Sequence, residues 1–123
     1  MGAWQRGDID AARALARRGV DAGDGGNGVA HYALDALGDV SLLAGAHAEA
    51  IRSYGQCLAR ARQAGDTRYV VVGACNVALA YAYSGEVTRA LPLADHAREI
   101  ARSSGNPTSL AFAEFTSGEI RLE

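Results

Sequence analysis

The chain has 123 residues, 49% of them hydrophobic, with 12 arginines, 14 acidic residues, no lysine and a formal charge of −2. That length fits one domain with a continuous core, and acidic residues interspersed throughout exclude the basic face that direct nucleic-acid binding needs. MGAWQRGDID lacks the apolar run of a secretory leader and no stretch approaches a membrane span, so a cytoplasmic protein with no membrane partner is expected.

In chain order, Gly7 to Arg18 (GDIDAARALARR) reads as a helix with a turn glycine before it and an alanine, Ala12, one turn in. It resembles the second half of a helical hairpin whose first half is missing: either the chain begins inside a repeat array or it is a piece of a longer protein, with Trp4 a trace of the lost partner. Val20 to Gly28 (VDAGDGGNG) reads as a flexible connection. A phosphate-binding loop is not assigned there, because no Gly-Lys-Ser/Thr follows and no strand precedes.

From Val29 to Leu43 and from Ala46 to Gln63 the apolar residues Leu34, Leu37, Leu42, Ala50, Ile51, Tyr54 and Leu58 recur at helical spacing on either side of Gly45, with Ser41 as a departure. This predicts two helices joined by a glycine turn. Gly65 is placed to end the second in a left-handed cap, and Asp66 or Thr67 to cap the next helix by accepting its free N–H groups. Thr67 to Ser84 and Val87 to Ser103 form the next pair. Pro92 predicts a late start at Thr88 or a slight kink, since an interior proline loses a helical hydrogen bond. Gly105-Asn106-Pro107 spells cap glycine, capping asparagine and proline at the first helical residue, opening a last helix to Arg121.

A shift of forty residues superposes these segments: Gly38 falls on Ala78, Gly45 on Gly85, Ala50 on Ala90, Ala61 on Ala101, Arg62 on Arg102 and Gly65 on Gly105, with Gly118 in register with Gly38. A fixed period of this size marks a supersecondary unit whose apolar face is covered by its neighbours, hence a stack. Small residues at 38, 78, 50 and 90 are expected where helices touch, a larger one there overpacking the contact.

Leu37-Gly38, Gly45, Ala50 and Tyr54 in one copy, and Ala78, Tyr81, Gly85, Ala90 and Ala97 in the next, resemble the tetratricopeptide repeat family. Ser41 and Ala94 replace that pattern's aromatics, Cys57 replaces an alanine, and the closing proline is absent after Arg62 and Arg102. The resemblance implies an all-α fold of about six helices, antiparallel hairpins stacked in a right-handed superhelix over residues 1–123, whose leading helices line a groove. Carried over, that groove takes Tyr32, Asp35, Asp39 and Leu42, then Val72, Cys75, Asn76, Leu79 and Tyr83, then Phe112, Phe115 and Glu119. Family members that grip a carboxylate terminus use lysine and asparagine where this chain has Asp35, Asp39, Cys75 and Leu79, so that subclass is rejected. Asp35 and Asp39 instead suit a basic group, or are simply solvated.

The function implied is a protein- or peptide-binding scaffold. The long repeat and the phrase AREIARSSGN also resemble the helical-repeat regions of large bacterial transcriptional regulators, and the all-arginine, alanine-rich usage suggests a GC-rich genome. Two alternatives stay open: a small-molecule sensor using Tyr32, Asn76 and Tyr83, and a self-associating module, such as a homodimer, joined through unpaired terminal helices. His31, Asp35 and Asp39 share a helix face, but no second His or Cys lies nearby to complete a metal site, and no metal or cofactor is assigned. His47 is read as packing and His96 as a surface residue. Cys57 and Cys75 have no metal-type spacing and read as reduced core thiols. Cys75 as a nucleophile lacks an adjacent base, so no catalytic residue is assigned and the chain is not read as an enzyme.

Overall fold

A computed structural model describes residues 6–23 and 30–122. Among these residues there are six helices and no strand: α1 (Arg6–Gly23), α2 (Ala30–Leu43), α3 (His47–Ala64), α4 (Thr67–Tyr83), α5 (Val87–Ser104) and α6 (Pro107–Leu122). Each helix packs on the next, and α4 also touches α2 and α6, while α1 and α6 never meet. This is an open stack and not a bundle closed around one centre.

Four turns give the stack its regularity. Gly45, Gly65, Gly85 and Gly105 stand twenty residues apart with φ of 77°, 69°, 89° and 72°, a left-handed conformation that costs other residues about 1–2 kcal/mol. At three of them the residue after the glycine donates its N–H back across the turn: Ala46 to the Ser41 carbonyl, Asp66 to that of Ala61 and Glu86 to that of Tyr81. Otherwise orphaned carbonyls at the helix end are thereby satisfied. At the fourth turn a hydroxyl relays the bond, since Asn106 N–H donates to Ser104 Oγ, which donates to the Ala101 carbonyl.

The starts of α4 and α6 are capped as their sequences imply. Asp66 accepts the Tyr69 N–H at 3.2 Å, and Asn106 accepts those of Thr108 and Ser109 at 3.0 and 3.3 Å. Two expectations are corrected. Helix α1 continues to Gly23, through residues 20–23 of the expected connection; the rest of that stretch and Trp4 lie outside the described residues. Helix α5 begins at Val87 and runs on through Pro92 without a late start. Thr88 and Pro92 are both exposed, so water can satisfy the Thr88 carbonyl that the proline leaves unpaired.

The core runs along the stack. Leu58 and Ala61 of α3, Val71 and Ala74 of α4, Ala97 of α5 and Ala113 of α6 form one cluster, and Ala50, Tyr54, Val77 and Ala80 another. Alanine dominates because short side chains let neighbouring helices approach; at Gly73 even a methyl group would sit 3.1 Å from the Leu58 backbone. The small residue at 38 has a more specific cause. A Cβ there would lie 2.5 Å from the Tyr54 ring, which fills the notch that the glycine leaves. Forty residues on, the pair becomes Ala78 and Ala94, both fully buried: the methyl group returns where the ring is gone. The glycine at 38 is thus required by the ring at 54, and where the aromatic is missing at 94 an alanine is accommodated at 78.

Candidate functional site

The leading helices α2, α4 and α6 lie side by side, so residues forty apart fall in rows across them. Near their N-termini, Tyr32 of α2 packs against His31 and Tyr69 with ring centroids 4.2 and 4.6 Å apart. Two of these rings reach Asp66, whose carboxylate accepts from Tyr32 Oη at 3.1 Å and from His31 Nε2 at 3.0 Å. A carboxylate only accepts, so Nε2 of the buried His31 carries the proton. Burial works against the Asp66 charge, but the hydrogen bonds from His31, the Tyr69 N–H and Tyr32 outweigh it and hold the carboxyl below its usual range. His31 is therefore committed to the stack and does not join Asp35 and Asp39. No group of three or more His, Cys, Asp or Glu that could hold a metal occurs among the described residues.

In the middle of the face, Asn76 Nδ2 donates to Asp35 Oδ1 at 2.8 Å, linking α4 to α2, and Tyr54 Oη donates to Asp39 Oδ1. Burial, together with the negative charge of Asp39, pushes the Asp35 carboxyl up to about 6 against the opposing effect of the Asn76 bond. Burial raises Asp39 too, opposed by the Tyr54 bond, even though its side chain reaches the surface. Neither carboxylate has an ion-pair partner among the described residues. Two half-desolvated negative groups one helical turn apart, with no cation between them, form a centre of unmatched potential.

Beside this centre lies a recess of about 510 Å³ lined by Asp39, Leu42, Leu43, His47, Tyr54 and Tyr83. Leu43 and Tyr83 are well exposed there, 56% and 46%, and Tyr83 Oη donates to Glu119 Oε2 of α6 at 3.2 Å. The recess thus pairs an apolar wall with a carboxylate edge.

Of the residues expected in the groove, Tyr32, Tyr83, Phe112 and Phe115 are exposed, Asp39 reaches solvent, and Asp35, Leu42, Val72, Asn76, Leu79 and Glu119 are half-buried. Cys75 is different. It is fully buried in the core cluster with a hydrogen bond to Thr116, and burial pushes its thiol up to about 11. It presents nothing to a ligand and is neither a groove residue nor an activated thiolate. Cys57, equally buried, is pushed up to about 12 by burial and then by the charges of Asp35 and Asp39. His47 lines the recess, and His96 is exposed as expected.

Sequence reasoning passed over Leu43, Tyr54 and Asp66 as parts of this face. For Tyr54 a signal existed, because a glycine at 38 opposite a large residue at 54 pointed to a ring in a notch. No local pattern announced the others. Compared with models of known protein families and with curated proteins, the sequence matches none.

Proposed function

We propose that this chain is a tetratricopeptide-like interaction module that binds a protein or peptide segment along the α2/α4/α6 face, with a basic side chain of the partner at Asp35 and Asp39. The observation that carries this reading is the pairing of two unmatched, half-desolvated carboxylates with the adjoining apolar recess. A bound arginine or lysine would supply the missing charge, and its guanidinium or ammonium hydrogen bonds would be charge-assisted in a partly dry site. A neighbouring apolar residue of the same segment fits against Leu42, Leu43 and Tyr83. Placement of the module within a bacterial regulatory protein rests on the resemblance of its repeats alone.

Panning a random peptide display library on the immobilised protein tests the reading. Enriched sequences should carry Arg or Lys next to an apolar residue, and Asp39→Arg should weaken the selected peptides by tenfold or more, about 1.4 kcal/mol. Selection without basic residues, or unchanged binding to the variant, would refute it.

The size of the recess favours one second reading, a small-molecule sensor. About 510 Å³ falls within the range of about 300–1,000 Å³ usual for small-ligand sites. A metabolite that raises the melting temperature of the chain, and fails to do so after Tyr83→Ala, would favour this alternative.

A further inference from the structure

Asp35 and Asp39 are steadied by two neutral donors that come from two other helices. Asn76 Nδ2 of α4 donates to Oδ1 of Asp35, and Tyr54 Oη of α3 donates to Oδ1 of Asp39. The Tyr54 ring is itself fixed, being 2% exposed and lodged over Gly38, so its hydroxyl reaches Asp39 from a packed side chain. Each bond occupies one carboxylate oxygen and supplies no positive charge. Among the described residues the second oxygen, Oδ2, accepts no hydrogen bond in either case, and none of the chain's own arginines pairs with Asp35 or Asp39.

The face therefore presents two negative acceptors from one helix, four positions apart, where Cβ atoms lie about 5–6 Å from each other. Neither carboxylate can turn away without breaking its bond to a neighbouring helix. Such a pair selects its cation by shape as well as by charge. An ammonium group is a compact, strongly hydrated point charge and gives up more on entering a partly dry place. A guanidinium is planar, more weakly hydrated and carries five donors in fixed directions, so separate edges of one group can serve the two carboxylates. The adjoining recess favours the same side chain. Tyr54, Tyr83, Leu42 and Leu43 line it beside Asp39, and an arginine stacks its flat face on tyrosine rings and lays its stem along apolar surface.

We infer that the partner residue recognised here is an arginine whose guanidinium bridges the free oxygens of Asp35 and Asp39. This rests on the reading of the face as a site for a basic segment, and narrows that reading from any cation to one side chain. Asn76 and Tyr54 act as positioning residues, since they set both acceptors before the partner arrives and spare it the cost of ordering them.

Peptides of about nine residues, roughly 30 Å when extended, test this. Three synthetic mixtures share the same random alanine, leucine, serine and tyrosine positions and differ only at the centre, which is arginine, lysine or citrulline. Citrulline keeps the shape of arginine without its charge. Retention on the immobilised whole chain is measured at pH 8, above the raised value of about 6 at Asp35. The arginine mixture should bind about tenfold more tightly than the lysine mixture, with citrulline weakest. In Asp35→Asn and Asp39→Asn, each checked for unchanged helicity, that advantage should fall to about twofold or less, because a single carboxylate leaves nothing to bridge. Equal binding of arginine and lysine, both above citrulline, would overturn the choice of arginine while leaving a basic partner standing. An arginine advantage undiminished in both variants would put the guanidinium elsewhere and end the case for the bridge. Arginine and lysine mixtures that bind no better than citrulline would sink the basic-partner reading, and this inference with it.

Discussion

Asp35 carries a charge that the fold does not reward, and replacing it with asparagine should show this. In the folded chain its carboxyl sits at about 6, compared with 3.8 for a free aspartate. At 1.36 kcal/mol per pKa unit the charged side chain costs the fold up to about 3 kcal/mol, and partial solvent access trims this to about 1–3 kcal/mol. Because the folded value is raised, the folded state holds the proton more tightly. The contribution of Asp35 to stability is complete below 3.8 and is lost as pH rises through about 6. Asparagine keeps the volume and an oxygen to accept from Asn76 Nδ2, so Asp35→Asn removes the charge and leaves the bridge to α4 in place. Urea unfolding of both proteins should find the variant more stable by about 1–3 kcal/mol at pH 8, with the advantage nearly gone by pH 4. A variant less stable at pH 8, or an equal gain at both pH values, would refute the argument. The same variant should bind basic peptides more weakly, since the charge that strains the fold is the one proposed to hold the partner.

Other perturbations separate the remaining forces. Asp66 behaves oppositely to Asp35: its folded value is lowered, so the stability it confers is present above 3.8 and is lost as pH falls through the folded value. Asp66→Ala removes a cap worth about 1 kcal/mol and strands the buried His31 donor at a further cost of about 1–3 kcal/mol, measurable by urea unfolding at pH 7. Gly38→Ala should cost about 1–3 kcal/mol by forcing a methyl group against the Tyr54 ring, while Gly38→Ala with Tyr54→Ala reproduces the Ala78–Ala94 pair. A double-mutant cycle should therefore give a coupling of at least about 1 kcal/mol, and additive costs would refute the notch. Gly65→Ala meets no atom within 4 Å, so its expected loss of about 1–2 kcal/mol measures left-handed backbone strain alone.

The glycine turns, the capping residues Asp66 and Asn106 and the alternation of leading and trailing helices were all legible in the sequence, because each depends on residues within a turn or two of one another. A cap is made by a side chain and the N–H groups two or three residues on, and helical periodicity repeats every few positions. The forty-residue register went further and placed small residues at 38, 78, 50 and 90. It did not say what they made room for.

The rest depended on how far each helix is rotated and slid against its neighbours. His31 and Asp66 are 35 residues apart and Asp35 and Asn76 are 41 apart, and nothing near either member names the other. Register placed Asp35, Cys75 and Phe115 in one row, yet the first is half-buried, the second enclosed and the third open, since the cover over each comes from different helices. The sequence alone determined that this chain forms helices, where they turn and that they repeat, all local consequences of backbone strain and side-chain spacing. Which carboxylates lose their water, which ring enters which notch and which thiol is shut away were decided only when the helices packed, because desolvation depends on everything that surrounds a group in space.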